Sequence, residues 1–263
     1  MRVIAVDWSG AAHTARRHIW LAEASRSGRL DRLECGRDRT QLCDHVQALE
    51  DVVIGFDFAF SFPAWFVRSL GVDTAPDLWA CVSERAEDWL HACQPPFWGR
   101  PGCRRPPASG PPLRRTDQAV PRTAGVAPKS IFQVGGAGAV GTGSLRGMAL
   151  LHRLHQTGAA IWPFSVNSGS SPTVVEIYPR LLTGPVHKSR PQARADLLER
   201  RFPDLAADHR ELAILSEDAF DAAVSALVMV ENTADLQSLP PETDPDLQLE
   251  GRIWHPHWRA DAP

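Results

Sequence analysis

The sequence predicts an α/β domain on a mixed sheet of order β-β-β-α-β, flanked by helices and interrupted by a Pro/Arg-rich insertion. Three observations lead there. Short apolar runs recur at 1–10, 51–58 and 173–180, too brief for helices and suited to strands of a mostly buried sheet. Longer segments carry apolar residues at helical spacing, and the one that follows Glu217 is apolar almost throughout. Each short run also carries an acid, namely Asp7, Asp57 and Glu176. The carboxyl ends of strands are where open α/β sheets place ligands.

The elements follow in order. Met1 to Gly10 is a strand that ends on Asp7 and turns at Ser9-Gly10. His18 to Glu23 and Arg29 to Gly36 read as the next two strands of a meander, with Ser27-Gly28 supplying the turn. Thr40 to Leu49 shows a helical face of Leu42, Val46 and Leu49, with Thr40 as its N-cap. It delivers the chain to the Asp57 strand. Asp77 to Cys93 is a further amphipathic helix, Ser144 to Leu154 another, and Arg194 to Phe202 a third, halted by Pro203. Together they predict one domain over 1–263, with an irregular insertion at about 94–127.

That insertion holds eight prolines between Gln94 and Pro121, which argues against a packed helix or central strand. From Arg100 to Arg122 it carries six arginines against Asp117, a net of +5 in a chain whose total is −3. A basic loop on an acidic body has the charge of a phosphate-binding arm, and a solvated insertion without a ligand is the alternative. Arg114, Arg115, Lys129 and Arg146 are the candidate phosphate contacts. The run Gly135 to Ser144 lacks the Gly-Lys-Ser/Thr of a Walker loop, and no acid follows at dinucleotide-fold spacing. It reads as a loop into the Ser144 helix, whose N-terminal amides could hold a phosphate or simply be capped.

Composition is that of an ordinary folded protein, 43% apolar and 22% charged. The N-terminus lacks a basic region followed by a signal core, and no apolar run reaches membrane-spanning length, so the cytoplasm is the expected compartment. Five cysteines without a C-x-x-C pair support neither a zinc ribbon nor a disulfide framework. The pairs His152/His155 and His255/His257 read as surface or supporting residues, since no H-E-x-x-H occurs.

Asp218 and Asp221 stand three apart at the head of the most apolar helix, so they share a face. A buried helix carries carboxylates only when they are paired, capped or bound to metal. Capping by Asp218 is the simplest account of that residue taken alone. Clustered acids repel one another, and a divalent cation between them is the usual remedy.

The motifs Val6-Asp7-Trp8-Ser9-Gly10-Ala11, Ile54-Gly55-Phe56-Asp57-Phe58-Ala59-Phe60-Ser61-Phe62-Pro63 and Pro128 to Gly138 carry a family likeness. So do Gly141-Thr142-Gly143-Ser144, Glu176-Ile177-Tyr178-Pro179 and the helix from Asp218 to Leu227. Together they resemble the predicted nucleases of ribonuclease H fold catalogued as domain-of-unknown-function family 429, over nearly the whole chain. The order of elements is similar to the Holliday-junction resolvase branch of that superfamily. There an aspartate on the first strand, an acid on the fourth and an Asp-x-x-Asp on the last helix converge. The resemblance implies a ribonuclease H-like sheet, metal ligation by Asp7, Asp57, Asp218 and Asp221, and Glu176 as a fifth catalytic acid.

The function expected from this is a metal-dependent nuclease acting on DNA or RNA through two Mg²⁺ or Mn²⁺ ions, which favour oxygen ligands. His187-Lys188 is a candidate proton donor or base beside the acids. Nucleic acid is the expected partner, no membrane is, and a homodimer is what resolvase-like double cleavage would need. Two other readings stay open: an actin- or sugar-kinase-like ATP-dependent phosphotransferase, and a non-catalytic nucleic-acid-binding module of the same fold.

Overall fold

Strand β1 (Arg2–Asp7) lies inside a seven-stranded mixed sheet in the computed structural model, which describes residues 1–256 apart from 108, 124 and 168, together with residue 258. His257 is outside the described residues. On one side β1 pairs antiparallel with β2 (Trp20–Ala24), and β2 pairs antiparallel with β3 (Leu30–Cys35). On the other side β1 runs parallel to β4 (Val52–Phe56), and β4 runs parallel to β6 (Thr173–Ile177). Two short strands, β5 (Ala160–Ile161) and β7 (Ile253–Trp254), pair in parallel with the start and the end of β6.

Alternation along the strands divides the core in two. Ile4, Val6, Ile54 and Phe56 face one layer of helices, which includes Arg39–Gln47, Ala75–Ala92 and Gly141–Gln156. Val3, Ala5, Val53 and Val175 face the other, which includes Pro191–Arg201, Ala207–Leu215 and Glu217–Glu231. Both faces are covered, so the central strands read as continuous apolar runs. The Glu217–Glu231 helix is buried from Ala219 to Val230 and packs on β1 and β2. Its alanines at 219, 222, 223 and 226 let the backbone approach the sheet closely.

Several local expectations change. Asp38, not Thr40, caps the first of these helices: its carboxylate accepts from Gln41 N at 2.9 Å while the Gln41 side chain accepts from Asp38 N at 3.1 Å. This reciprocal box satisfies two amide donors at once. Ser216 caps the Glu217–Glu231 helix by accepting from Ala219 N, so Asp218 is not its N-cap. Ile131 to Val134 forms a turn, joined to the insertion by a single bridge between Trp98 and Gln133. The Gly141–Gln156 helix starts three residues ahead of Ser144. Its glycine is steric: a Cβ on Gly141 would lie 2.1 Å from the Ile131 carbonyl oxygen.

The insertion is docked around Arg114 and exposed at Arg104, Arg105 and Arg122. It contains a short helix, Arg115–Ala119, and packs its start into the protein, with Arg114, Thr116 and Asp117 all buried. The Trp65 indole N–H donates to Pro111 O at 2.8 Å and the Ser130 hydroxyl to Pro112 O at 2.6 Å. Tryptophan tethering recurs across the molecule. The Trp8, Trp79 and Trp162 indoles donate to Gly143 O, Phe60 O and Pro240 O, while Trp254 donates to the Asp235 carboxylate. Each ring packs against the fold while its one polar atom pins another segment, which gives these five of the chain's nine tryptophans a structural use. Among the described residues no helix is long and apolar enough to cross a membrane.

Candidate metal centre and cleft

Parallel register places the first two acids. Val6 lies opposite Phe56, and Asp57 N donates to Val6 O at 3.1 Å. Asp7 and Asp57 therefore leave adjacent strands side by side, about 5 Å apart at the backbone. The third acid arrives from the Glu217–Glu231 helix: Asp221 is buried on the face that packs against β1. Asp218 is one turn nearer the helix start and half-exposed, where its carboxylate meets His18 Nδ1 at 3.4 Å. The four acids thus divide into an inner trio and one acid at the rim.

The trio is short of positive charge. Burial, then the charges of Asp221, Asp57 and Asp218, push the Asp7 carboxyl well above its ordinary value against the opposing pull of Lys188. Burial and Asp221 raise Asp57 to about 7, again opposed by Lys188. Asp221 is raised by burial, with Lys188 acting against it. Among the described residues no donor is hydrogen-bonded to the carboxylates of Asp7 or Asp57, and Asp221 Oδ1 is buried without a partner. The other oxygen, Asp221 Oδ2, accepts from Lys188 Nζ.

Carboxylate oxygens with unused lone pairs are the donors that hard divalent cations take. The inner trio fits such an ion chemically. Among the described residues, however, no three His, Cys, Asp or Glu side chains are gathered as they would be around one ion. The ammonium of Lys188 is the cation that stands among them.

A cleft of about 500 Å³ opens beside this centre. Its walls include Trp8, Asp57, Phe58 and Tyr178 on the sheet side and Lys129, Thr142 and Gly143 on the other. The volume is in the range of small-ligand pockets. Trp8 and Phe58 are tilted against each other with ring centroids 5.0 Å apart. Gly10 and Gly143 pack backbone to backbone, since a Cβ on Gly10 would lie 2.5 Å from Gly143 N. No family model, curated protein or solved structure matches the chain. Its own geometry therefore carries the functional reading.

Glu176 lines the same cleft and its charge acts on Asp57, but its carboxylate is already engaged. Although it neighbours Phe56 across the β4–β6 pair, its Oε2 accepts from Arg114 Nη1 at 2.8 Å and from Phe60 N at 2.9 Å. Arg114 also reaches Asp117 Oδ1 at 2.8 Å, and its side chain is 1% exposed. Burial works against the guanidinium charge, but Asp117 and Glu176 outweigh it and hold the Arg114 pKa well above its usual value. Glu176 is thus a partner in a buried ion cluster that borders the cleft, paired with Arg114 through both oxygens.

The expected phosphate contacts are corrected in the same way. Arg114 is consumed by Glu176 and Asp117. Arg115 binds both oxygens of Asp244 at 2.8 and 2.9 Å, and Arg146 binds Glu87 at 2.7 Å and Gly10 O. Arg115 and Arg146 meet acids far along the chain, and Arg114 meets the distant Glu176 as well as Asp117 three residues on. Lys129 differs: it is exposed, lines the cleft, and has no ion pair among the described residues. Sequence reasoning passed over Tyr178, the only tyrosine in the chain. It lines the cleft, and burial followed by the nearby Asp57 charge raises its pKa. That solitary count was the signal available.

Proposed function

We propose that this protein is a divalent-metal-dependent phosphodiesterase acting on nucleic acid, built on a ribonuclease H-like sheet. The order β3-β2-β1-β4-β6, with β2 antiparallel to both neighbours and the rest parallel, supports that fold. The observation that carries the activity is the inner trio: Asp7, Asp57 and Asp221 leave three separate elements, lack hydrogen-bond donors at Asp7 and Asp57, and raise one another's proton affinity. Nothing in a merely structural role calls for that arrangement. Buried carboxylates that stabilise a fold are paired, as Glu176 is.

In this reading Asp7, Asp57 and Asp221 hold the cation, Mg²⁺ or Mn²⁺, and Asp218 supports it from the rim. A divalent ion bound there supplies phosphate charge neutralisation and a lowered pKa for the attacking water. The chain's own groups do the rest. Lys129 attracts the polyanion at the cleft mouth. Trp8, Phe58 and Tyr178 offer apolar and aromatic wall to a base or sugar.

The test is cleavage of labelled single-stranded and duplex DNA and RNA and of a four-way junction, with Mg²⁺ or Mn²⁺ and with EDTA. Metal-dependent cleavage by the wild type that disappears in Asp7→Asn and Asp221→Asn, both still folded by circular dichroism, is the expected result. Equal cleavage in both purified variants would contradict the assignment.

A further inference from the structure

Lys188 is held more firmly than a lysine on a connecting loop has reason to be. Its segment precedes the Pro191–Arg201 helix, and two arginines fix the backbone around it. Arg194, 3% exposed, donates to the Lys188 carbonyl and to Ile214 O. Arg180 Nη1 donates to Val186 O at 2.8 Å and to Gly184 O at 3.3 Å. Lys188 N donates to Val186 O at 3.1 Å, and Arg190 N to His187 O at 2.9 Å. The side chain these bonds present is only 18% exposed, and its ammonium rests on Asp221. Lysine is rarely buried unless it is paired with an opposite charge.

We propose that Lys188 is a permanent cation of the centre, filling the position of one of two ions, so that the protein binds a single divalent ion per chain. The proposal rests on the reading of Asp7, Asp57 and Asp221 as metal ligands and narrows it from two ions to one. Charge supports it. Asp7, Asp57 and Asp221 with one ammonium and one divalent ion balance to zero, Asp218 standing apart at the rim against His18, whereas a second divalent ion would add two positive charges close to a fixed ammonium. Geometry supports it as well. Lys188 takes Asp221 Oδ2 and leaves Oδ1 unpartnered, which is one free ligand oxygen on that residue instead of two. The ammonium is a fixed positive charge on Asp221 that needs no exchange with solvent.

Calorimetric titration of the full-length chain with MnCl₂, with bound Mn²⁺ counted by electron paramagnetic resonance, tests this. The wild type is expected to bind one Mn²⁺, Lys188→Met two, and Lys188→Arg one, because arginine keeps the charge. Asp7→Asn is expected to lose Mn²⁺ binding. Two ions in the wild type would overturn the role of Lys188 while leaving the aspartate centre standing, and so would one ion of unchanged affinity in Lys188→Met. No Mn²⁺ in the wild type would overturn both readings. The wild-type count decides the matter even if Lys188→Met fails to fold.

Discussion

Two acid clusters lie side by side at the carboxyl end of the same sheet, and they are built on opposite plans. Around Arg114 every acid is answered. Glu176 accepts from the guanidinium and from Phe60 N, Asp117 from the same guanidinium, and Glu250 from Ala64 N at 2.8 Å and from Arg115 N. Among the described residues no donor is hydrogen-bonded to the carboxylates of Asp7 or Asp57, while Lys188 serves Asp221. The first cluster is what a fold does with charge it must bury: pair it, and satisfy each lone pair. The second leaves lone pairs open and raises proton affinity, which weakens the fold unless something else binds there. The contrast separates a strut from a site more surely than burial does, because Asp221 is as buried as Glu176 while Asp7 and Asp57 are half-buried.

The comparison breaks first at its strut. Arg114→Met leaves Glu176 and Asp117 buried without their cation. It is expected to cost about 3–5 kcal/mol, a fall of roughly 10 °C in melting temperature. A loss below about 1 kcal/mol would mean that the cluster is not what closes this end of the sheet.

Asp57→Asn is expected to do the reverse. In the folded state Asp57 titrates near 7, pushed there by burial and by Asp221, against about 3.9 when unfolded. Below pH 4 both states are protonated, and stability from this group is fully present. It is lost as pH rises from about 4 to about 7, because the unfolded chain gives up the proton first. In EDTA at pH 8, Asn at this position is therefore expected to stabilise the protein by about 1–3 kcal/mol, with the gain vanishing near pH 4. Thermal melts across pH check this, and a loss of stability at pH 8 would show that the Asp57 carboxylate is satisfied after all.

The smallest effect concerns the cleft mouth. Lys129→Ala touches no ion pair, so its melting temperature is expected to match the wild type. Binding of a fluorescent single-stranded oligonucleotide is expected to weaken, with a salt dependence shallower by about one phosphate contact. An unchanged salt slope would remove Lys129 from the binding surface.

Much of this was legible in the chain, and the limits have physical causes. The strands of Asp7, Asp57 and Glu176 stand out because burial on both faces makes each an unbroken apolar run. Asp221 stands out because a carboxylate in a helix that is otherwise aliphatic needs a reason. The fate of the arginines was not legible. Arg114 and Arg115 look free in a stretch with one acid, yet Glu176, Asp244 and Glu250 meet them from 62 to 136 positions away. Long-range pairing leaves no local pattern. For the same reason β5 and β7, two residues each, exist only because β6 is there to pair with. The insertion looked irregular from its prolines and is irregular. Its docking depends on Trp65, more than forty positions upstream.

The most direct measurement is anomalous diffraction from crystals soaked in MnCl₂. A peak bounded by the carboxylates of Asp7, Asp57 and Asp221, with Lys188 still seated on the far oxygen of Asp221, is the predicted result. An empty centre at saturating Mn²⁺, with all three carboxylates protonated or turned to other donors, would contradict it.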